Sequence, residues 1–247
     1  MTSGEHKASG LSYACGIRLA EIPVCFRFHF QEAYEYFRPY EDKSIPADTS
    51  ELLVSDEEWT YFLKRGVGYT SQAEASLLTA FASDHLMHFD AVILHAVAFV
   101  FRGKAWLITG ESGVGKSTQV HNLQSLVPGE FSVICGDRPV IRLMEDGQVF
   151  VFPSPWNGKE GWKGADAAPL EGIICLTRGE ENLIEEMPLR HAVVSVYKAV
   201  IHTARTEAGV LRAAELESRI LETCRIYKMV SRDIPQSSEL LREKVFR

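Results

Sequence analysis

Apolar and polar residues follow two different periods in the first part of the chain. Residues 11–30 are rich in β-branched and aromatic side chains and predict two short strands. A further short strand is predicted near Leu52–Val54. Over residues 72–88 the apolar positions recur at helical spacing, and Ser71 with Glu74 matches a capping box at the start of this helix. This part of the chain is therefore predicted to be β-rich and to end in an amphipathic helix.

The pattern then changes to continuous apolar runs, which are typical of buried strands. Residues 91–101 predict one long strand, and Ala105–Thr109 predict a second strand after a short polar turn. So short a connection joins antiparallel neighbours, because a parallel crossover needs roughly a dozen residues or more. A helix is predicted to begin near Lys116 and to end before Pro128.

The rest of the chain alternates strands and helices around one long loop, residues 153–169, which is rich in Pro, Gly, Trp and Lys. Strands are predicted at Phe131–Cys135, Val140–Leu143, Val149–Phe152, Ile173–Thr177 and Arg225–Val230, and helices at about 189–204, 211–224 and 236–246. Together the elements predict an α/β fold with a mixed, partly antiparallel sheet flanked by helices. We expect this core to span residues 89–247. Residues 1–88 are expected to form a smaller β-rich cap that begins with a polar arm of ten residues.

Composition and charge narrow the classes of function. The chain has 247 residues, of which 46% are hydrophobic and 24% charged, as is typical of a globular protein. A formal charge of −7 argues against nucleic acid as a partner. No apolar stretch approaches the ~18 residues of a membrane span, and the N-terminus lacks the apolar core of a secretory signal. The 5 cysteines form no C-x-x-C pair, so we expect a reducing, cytoplasmic location.

One motif indicates a specific chemistry. The pattern G-x-x-x-x-G-K-[ST] is met by Gly110, Glu111, Ser112, Gly113, Val114, Gly115, Lys116 and Ser117, with Thr118 directly after it. Its glycines permit backbone angles that turn successive amides inward around an anion, and the following helix directs its positive end at the same phosphates. In this pattern Lys116 reaches the β- and γ-phosphates and the Ser117 hydroxyl holds Mg²⁺. The motif predicts binding of ATP, or another nucleoside triphosphate, with Mg²⁺.

An acidic residue near a strand end would complete the magnesium site. Asp137 is the candidate, because it follows the apolar run FSVIC and Mg²⁺ prefers carboxylate oxygen. The alternative is that Asp137 is a turn residue before Pro139. Both interpretations are open at this point.

The residues around the motif resemble a known family. The segment LHAVAFVFRGKAWLITGESGVGKS, residues 94–117, resembles the C-terminal catalytic domain of HPr kinase/phosphorylase, which shares its core with the ATP-dependent phosphoenolpyruvate carboxykinases. The resemblance covers residues 91–143 and is strongest over ITGESGVGKS. The chain looks like a member of a less characterised branch of the family. It implies transfer of a phosphoryl group from ATP to a hydroxyl, typically a serine, on a protein, peptide or small molecule. It also implies a homo-oligomer.

The resemblance also implies roles for individual residues. Lys116 and Ser117 take the phosphate and Mg²⁺ roles, Asp137 matches an essential aspartate, and His95 matches a histidine near the phosphoryl group. The family has two successive aspartates where this chain has Gly136 and Asp137. Asp137 would then combine metal binding with the work of a base, or His95 would accept the proton. His95 also has a simpler interpretation, as a hydrogen-bonded residue inside an apolar strand.

The loop SPWNGKEGWKG, residues 154–164, is a candidate for binding the substrate. Lys159 could reach a phosphate, Trp156 could stack on a substrate or exclude water, and Glu160 could pair with Lys159 or the metal. The alternative is an exposed turn whose tryptophans anchor it to the core.

Two functions are consistent with these residues. The first is an ATP- and Mg²⁺-dependent kinase that phosphorylates a hydroxyl. The second is a nucleotide-binding regulatory or partner-binding protein with little or no turnover, as the loss of a carboxylate at Gly136 suggests.

Overall fold

The computed structural model describes residues 11–162 and 164–246, so the predicted polar arm and Lys163 lie outside the described residues. The chain divides into two compact units, the first ending at Ala82 and the second beginning at Ser83. Each unit has its own sheet.

The first unit contains a three-stranded sheet with helices. Its elements are β1 (Tyr13–Leu19), β2 (Ile22–Phe28), α1 (Gln31–Phe37), β3 (Glu51–Leu52), α2 (Asp56–Leu63) and α3 (Ser71–Leu86), of which α3 runs past Ala82. β1 and β2 form an antiparallel hairpin, and β3 pairs with β2 in parallel. The two strands expected within residues 11–30 and the helix expected over 72–88 are confirmed, whereas α1 and α2 were not predicted.

The start of α3 differs from the predicted capping box. The Thr70 hydroxyl accepts a hydrogen bond from the amide of Ala73 at 3.1 Å, so Thr70 caps the helix. The Glu74 carboxylate, which is fully buried, accepts from the amide of His29 at 2.8 Å and lies 2.8 Å from its ring Nδ1. The prediction that Ser71 and Glu74 cap α3 was wrong, because this carboxylate satisfies buried polar groups that are distant in sequence.

The second unit contains a large mixed sheet. Its elements are β4 (Ala91–Leu94), β5 (Ala96–Phe101), β6 (Lys104–Thr109), α4 (Lys116–Leu126), β7 (Phe131–Cys135), β8 (Val140–Leu143), β9 (Val149–Phe152), β10 (Ala168–Arg178), β11 (Leu183–Glu186), α5 (Leu189–Tyr197), β12 (Val200–Ile201), α6 (Glu207–Leu221), β13 (Arg225–Ser231) and α7 (Ile234–Val245). The strand order is β12-β4-β8-β9-β10-β6-β5-β7, with β13 also on β10 and β11 on β13.

The directions of the strands bring several strand ends to one edge of the sheet. β6, β10 and β13 are parallel neighbours. β5 is antiparallel to both β6 and β7, so β7 runs in the same direction as β6. The carboxyl ends of β6, β7, β10 and β13 therefore share an edge with the beginning of β5. The antiparallel hairpin that leads into the glycine-rich motif is confirmed.

The predicted strand over residues 91–101 is broken at His95. β4 pairs with β8, whereas β5 pairs with β6 and β7. At the break the amide of His95 donates to the carbonyl of Ala199 at 2.8 Å, and its own carbonyl accepts from the Thr109 hydroxyl at 3.0 Å. Both backbone groups of His95 thus form hydrogen bonds outside the β4–β8 and β5–β6 pairings. The single apolar run therefore forms two strands, β4 and β5, in different parts of the sheet.

Apolar side chains alternate between the two faces of the sheet. Val97 and Phe99 of β5 pack with residues of α4 and α7, whereas Ala96 and Ala98 pack with residues of α5 and α6. This period of two is what a strand with both faces covered requires. The expected α/β fold, with a mixed sheet flanked by helices and a smaller β-rich N-terminal part, is confirmed. Among the described residues, no helix combines the length and apolar character needed to cross a membrane.

Candidate active site

The glycine-rich motif forms the loop between β6 and α4. Gly110, Gly113 and Gly115 have φ angles of 146°, 76° and 108°, which side-chain-bearing residues rarely adopt. A Cβ on Gly110 would collide with the carbonyl oxygen of Leu176, so this position also lacks space for a side chain. The loop therefore has the backbone that the sequence motif requires. That it binds phosphate stays a prediction.

Lys116 begins α4 and folds back over this loop. Its side chain is buried, and its Nζ donates to the carbonyls of Gly110 at 2.9 Å and Glu111 at 3.1 Å. Burial lowers the pKa of the Lys116 ammonium, and the charge of Asp137 acts in the opposite direction. The ammonium group thus lies at the loop and within electrostatic range of Asp137.

Asp137 lies just beyond the end of β7, next to His95. Its Oδ1 is 3.3 Å from Nε2 of His95, and its Oδ2 is 3.3 Å from Nε of Arg138. About a third of each side chain in the His95–Asp137 pair is exposed, 35% and 33%, so both can meet a ligand. The structure therefore brings together three predicted site residues, Lys116, Asp137 and His95.

Pairing of β5 with β7 explains why His95 and Asp137 meet. The register places Ala98 opposite Cys135, and the amide of Ala96 donates to the carbonyl of Asp137 at 2.9 Å. His95 directly precedes β5 and Asp137 closely follows β7, so an antiparallel pair puts both at one edge. This proximity depends on a strand pairing that local sequence does not specify.

The loop between β9 and β10 has a buried anchor and an exposed tip. Trp156 is 3% exposed, and its carbonyl accepts from the amide of Arg138 at 3.1 Å. Lys159 is exposed and, among the described residues, makes no hydrogen bond or ion pair. Glu160 Oε2 lies 3.1 Å from Nε2 of His121 on α4, so Glu160 pairs with His121 and not with Lys159. Among the described residues, Lys159 and Glu160 form no hydrogen bond or ion pair with Lys116 or Asp137. The backbone of the loop does lie beside Asp137, since a Cβ on Gly158 would be 3.4 Å from the Asp137 Cβ.

The same loop fills the space beside Gly136. The Gly136 amide donates to Oδ1 of Asn157 at 2.7 Å, and the Asn157 side-chain amide donates to the carbonyl of Trp162. A Cβ on Gly136 would collide with the Asn157 carbonyl oxygen and lie 2.9 Å from the Trp162 ring. The position where the resembling family has a first aspartate is therefore closed to any side chain. Sequence reasoning missed this role of Asn157.

The donor set suits a magnesium ion bound together with a nucleotide. Among the described residues, no group of three or more His, Cys, Asp or Glu is arranged to hold a metal. Mg²⁺ commonly takes one or two protein ligands, with phosphate oxygens and water supplying the rest. The Ser117 hydroxyl and the Asp137 carboxylate are of the types that this mode requires.

Comparisons with known proteins show a distant likeness to solved structures. No protein-family model matches the chain, and comparison with curated proteins found no match. Among solved structures, the Hpr(Ser) kinase/phosphatase from Coxiella burnetii is similar over 61% of this chain and 94% of that chain, at 16% sequence identity and a TM-score of 0.36. The relationship is a distant one in fold.

Proposed function

We propose that this protein is a phosphotransferase that uses ATP and Mg²⁺ to phosphorylate a hydroxyl group. One observation supports the proposal most directly. The His95–Asp137 pair, 3.3 Å apart, lies near the glycine-rich loop of residues 110–117, a phosphate-type loop whose lysine, Lys116, is buried. Phosphoryl transfer requires positioning and neutralisation of charge more than covalent chemistry by the protein. Lys116, Asp137 and the loop amides are groups of the kinds that supply these effects.

Each group has a distinct task in the proposed reaction. The loop amides and Lys116 bind the triphosphate, and in doing so Lys116 exchanges its bonds to the carbonyls of Gly110 and Glu111 for phosphate oxygens. Ser117 and Asp137 would hold Mg²⁺, which when bound neutralises charge on the β- and γ-phosphates. Thr118 and the loop residues Glu111, Ser112 and Val114 complete the predicted nucleotide-binding segment.

The proton of the acceptor is taken up by the His95–Asp137 pair. The acceptor oxygen forms a bond to the γ-phosphorus while the bond from that phosphorus to the bridging oxygen of ADP breaks. The hydroxyl proton passes to His95 or Asp137, which lie close enough to share it. Because Gly136 provides no second carboxylate, this pair takes the role that two aspartates have in the resembling family.

The acceptor class follows from the resemblance and stays a prediction. It is a serine hydroxyl on a protein, a peptide or a small molecule. The homo-oligomer also follows from the resemblance alone. The cytoplasmic location and the boundary between residues 88 and 89 are predictions from the sequence.

A second candidate function is nucleotide binding without turnover, in a regulatory or partner-binding protein. The closed space beside Gly136 supports it, because the loop excludes the second carboxylate. In that case the nucleotide would act as a ligand whose presence changes the protein's interactions.

Labelled ATP tests the proposal and separates it from the second candidate. The purified protein is incubated with γ-labelled ATP, Mg²⁺ and a panel of serine-bearing proteins, peptides and small molecules. We expect Lys116→Ala to abolish ATP binding and transfer, and Asp137→Asn to retain binding while slowing transfer by roughly 100-fold or more. Lys104→Ala, which removes an exposed lysine at the other end of β6, is the matched control.

The outcomes distinguish the two candidates. ATP binding by the wild type, with no transfer to any acceptor and no effect of Asp137→Asn in cells, would favour the regulatory protein. Absence of measurable ATP binding by the wild type would contradict both.

A further inference from the structure

Arg178, at the carboxyl end of β10, lies beside Gly115 of the phosphate-type loop. Its guanidinium Nη2 is 3.3 Å from the position that a Cβ on Gly115 would occupy. The Cδ1 atom of Ile234, the first residue of α7, is 3.1 Å from the same position. A planar cation and an aliphatic side chain thus converge beside the residue that precedes Lys116.

Arg178 is available to a ligand. The side chain is exposed and, within the described part of the chain, takes part in no hydrogen bond, ion pair or ring contact. Ile234 is half-buried, so part of its surface also reaches solvent. By contrast, Arg138 is paired with Asp137 and Arg225 with Glu171. Arg178 is therefore a positioned cation whose hydrogen-bonding capacity the fold does not use.

The strand order indicates which end of a nucleotide would meet Arg178. The loop follows β6, and His95 and Asp137 stand on the side of β5 and β7. β10 is the neighbour of β6 on the opposite side, and Arg178 lies three residues beyond Cys175, the residue of β10 that pairs with Thr109 at the end of β6. If the γ-phosphate faces the His95–Asp137 pair, the nucleoside end of the same molecule extends toward β10.

The backbone that carries Arg178 is held firmly. Arg178 pairs with Ser231 in the register of β10 and β13, and the Asn182 side chain accepts hydrogen bonds from the amides of Arg232 and Asp233, at 2.9 and 3.1 Å. These contacts join the turn after β10 to the beginning of α7. A side chain on such a scaffold can be presented in a defined direction.

A buried polar network connects this scaffold to the helix that follows the loop. Gln119 of α4, which is fully buried, donates to the hydroxyls of Ser231 and Ser237 at 3.3 and 2.6 Å and accepts from Ser238. The phosphate-type loop, the end of β13 and the beginning of α7 are therefore held together. These contacts fix the backbone that carries Arg178 relative to the helix that follows the loop.

We propose that Arg178 and Ile234 form the nucleobase subsite of this protein, an inference that rests on the proposed function. The guanidinium plane stacks on one face of the base, and Ile234 supplies apolar contact beside it. Arginine suits this task better than lysine because its charge is spread over a plane. Stacking depends little on which base is present, so ATP and GTP should depend on Arg178 to the same degree.

The test compares ATP with ribose 5-triphosphate, which is ATP without its base. Calorimetry measures the dissociation constant of each Mg²⁺ complex for the wild type, Arg178→Ala and Arg178→Lys. We expect Arg178→Ala to weaken ATP binding by about tenfold, the size of a stacked cation contact, and to leave ribose 5-triphosphate binding within about twofold. Arg178→Lys should not restore the affinity for ATP. Arg190→Ala removes an exposed arginine from α5 and keeps the same net charge as Arg178→Ala.

Each result separates this inference from the proposed function. Equal weakening of both ligands would mean that Arg178 acts on the phosphates, and would overturn the subsite. Unchanged binding of both ligands would overturn it as well. If the wild type binds neither ligand, the proposed function fails and the subsite fails with it. Because Arg178 has no partner in the described fold, its removal should not alter stability, which thermal unfolding of each variant checks.

Discussion

Gly136, which has no side chain, determines how many carboxylates the candidate site has at the end of β7. The neighbouring Asn157 carbonyl and Trp162 ring occupy the volume that a side chain would need. Asp137 is left as the single carboxylate at the end of β7, where its partners are His95 and Arg138. The end of β7 therefore has no space for a second carboxylate directly before Asp137.

Substitution of Gly136 should destabilise the protein. We expect Gly136→Ala and Gly136→Asp to lower the free energy of unfolding by about 1–3 kcal/mol, because added atoms force a packed region apart. Gly136→Asp should not increase phosphoryl transfer. Urea unfolding measures the first effect, and Gly68→Ala, whose Cβ would make an ordinary 3.7 Å contact with Thr70, is the control. A stable Gly136→Asp variant with faster transfer would contradict this account.

Glu217 is a buried carboxyl group outside the candidate site. It lies on α6, is 2% exposed, and neither of its carboxyl oxygens has a hydrogen-bond partner among the described residues. Burial raises its pKa from the ordinary value of 4.5 to about 8. The folded state therefore keeps Glu217 protonated at pH values where the unfolded chain has lost this proton.

The stability of the protein should fall as pH rises through this interval. Below pH 4.5 both states hold the proton, and between 4.5 and about 8 only the folded state does, so ionisation favours unfolding. We expect Glu217→Gln to gain stability relative to the wild type over this range, by at most ~1.4 kcal/mol for each pH unit. Glu222→Gln, at the exposed end of the same helix, is the control. Identical pH profiles of wild type and Glu217→Gln would contradict the prediction.

At the scale of elements, helix α4 holds the tip of the loop between β9 and β10. His121 lies 3.1 Å from Glu160, and its ring centroid is 4.8 Å from that of Trp162. Both contacts are on the exposed side of α4, where an ion pair and a ring contact each contribute about 1 kcal/mol or less. The tip is therefore attached to the same helix that begins with Lys116.

Removal of His121 should loosen this attachment. We expect His121→Ala to increase amide hydrogen exchange over residues 154–162 by about tenfold, because two weak contacts are lost together. Exchange in β6 and β10 should not change. Gln124→Ala, also on the exposed side of α4, is the matched control. Unchanged exchange in the loop would show that its attachment depends on Asn157 and the buried Trp156 instead.

Elements with a clear local pattern were predicted well. The bounds of β7, β8 and β9 agree with the sequence prediction, because each is a short apolar run between turn residues. The predictions failed where pairing decides the structure. The strand over residues 91–101 was not expected to break at His95, and β11 and β12, which pair with β13 and β4, were not predicted. Such short strands have little recognisable sequence pattern of their own. They form because a neighbouring strand offers backbone groups for hydrogen bonding.

At the scale of the whole molecule, the candidate site is assembled where strands end. Its groups come from the start of β5 and from the segments that follow β6 and β7, and the proposed base subsite adds the last residue of β10. One edge of the sheet collects them because β6, β7 and β10 run in the same direction and end there, whereas the antiparallel β5 begins there. Although the net charge is −7, the cations Lys116 and Arg178 lie next to the loop, which is where an anionic nucleotide would need them.

The sequence by itself determined the phosphate-type loop and the alternation of strands and helices, because both depend on residues close together in the chain. Glycine conformations, strand periodicity and the helix after the loop are local properties. Only the tertiary structure decided that His95 meets Asp137, that a distant loop closes the space beside Gly136, and that Arg178 lies against Gly115. These contacts join residues from different strands, and strand order is set by packing of the whole core, which no local pattern encodes.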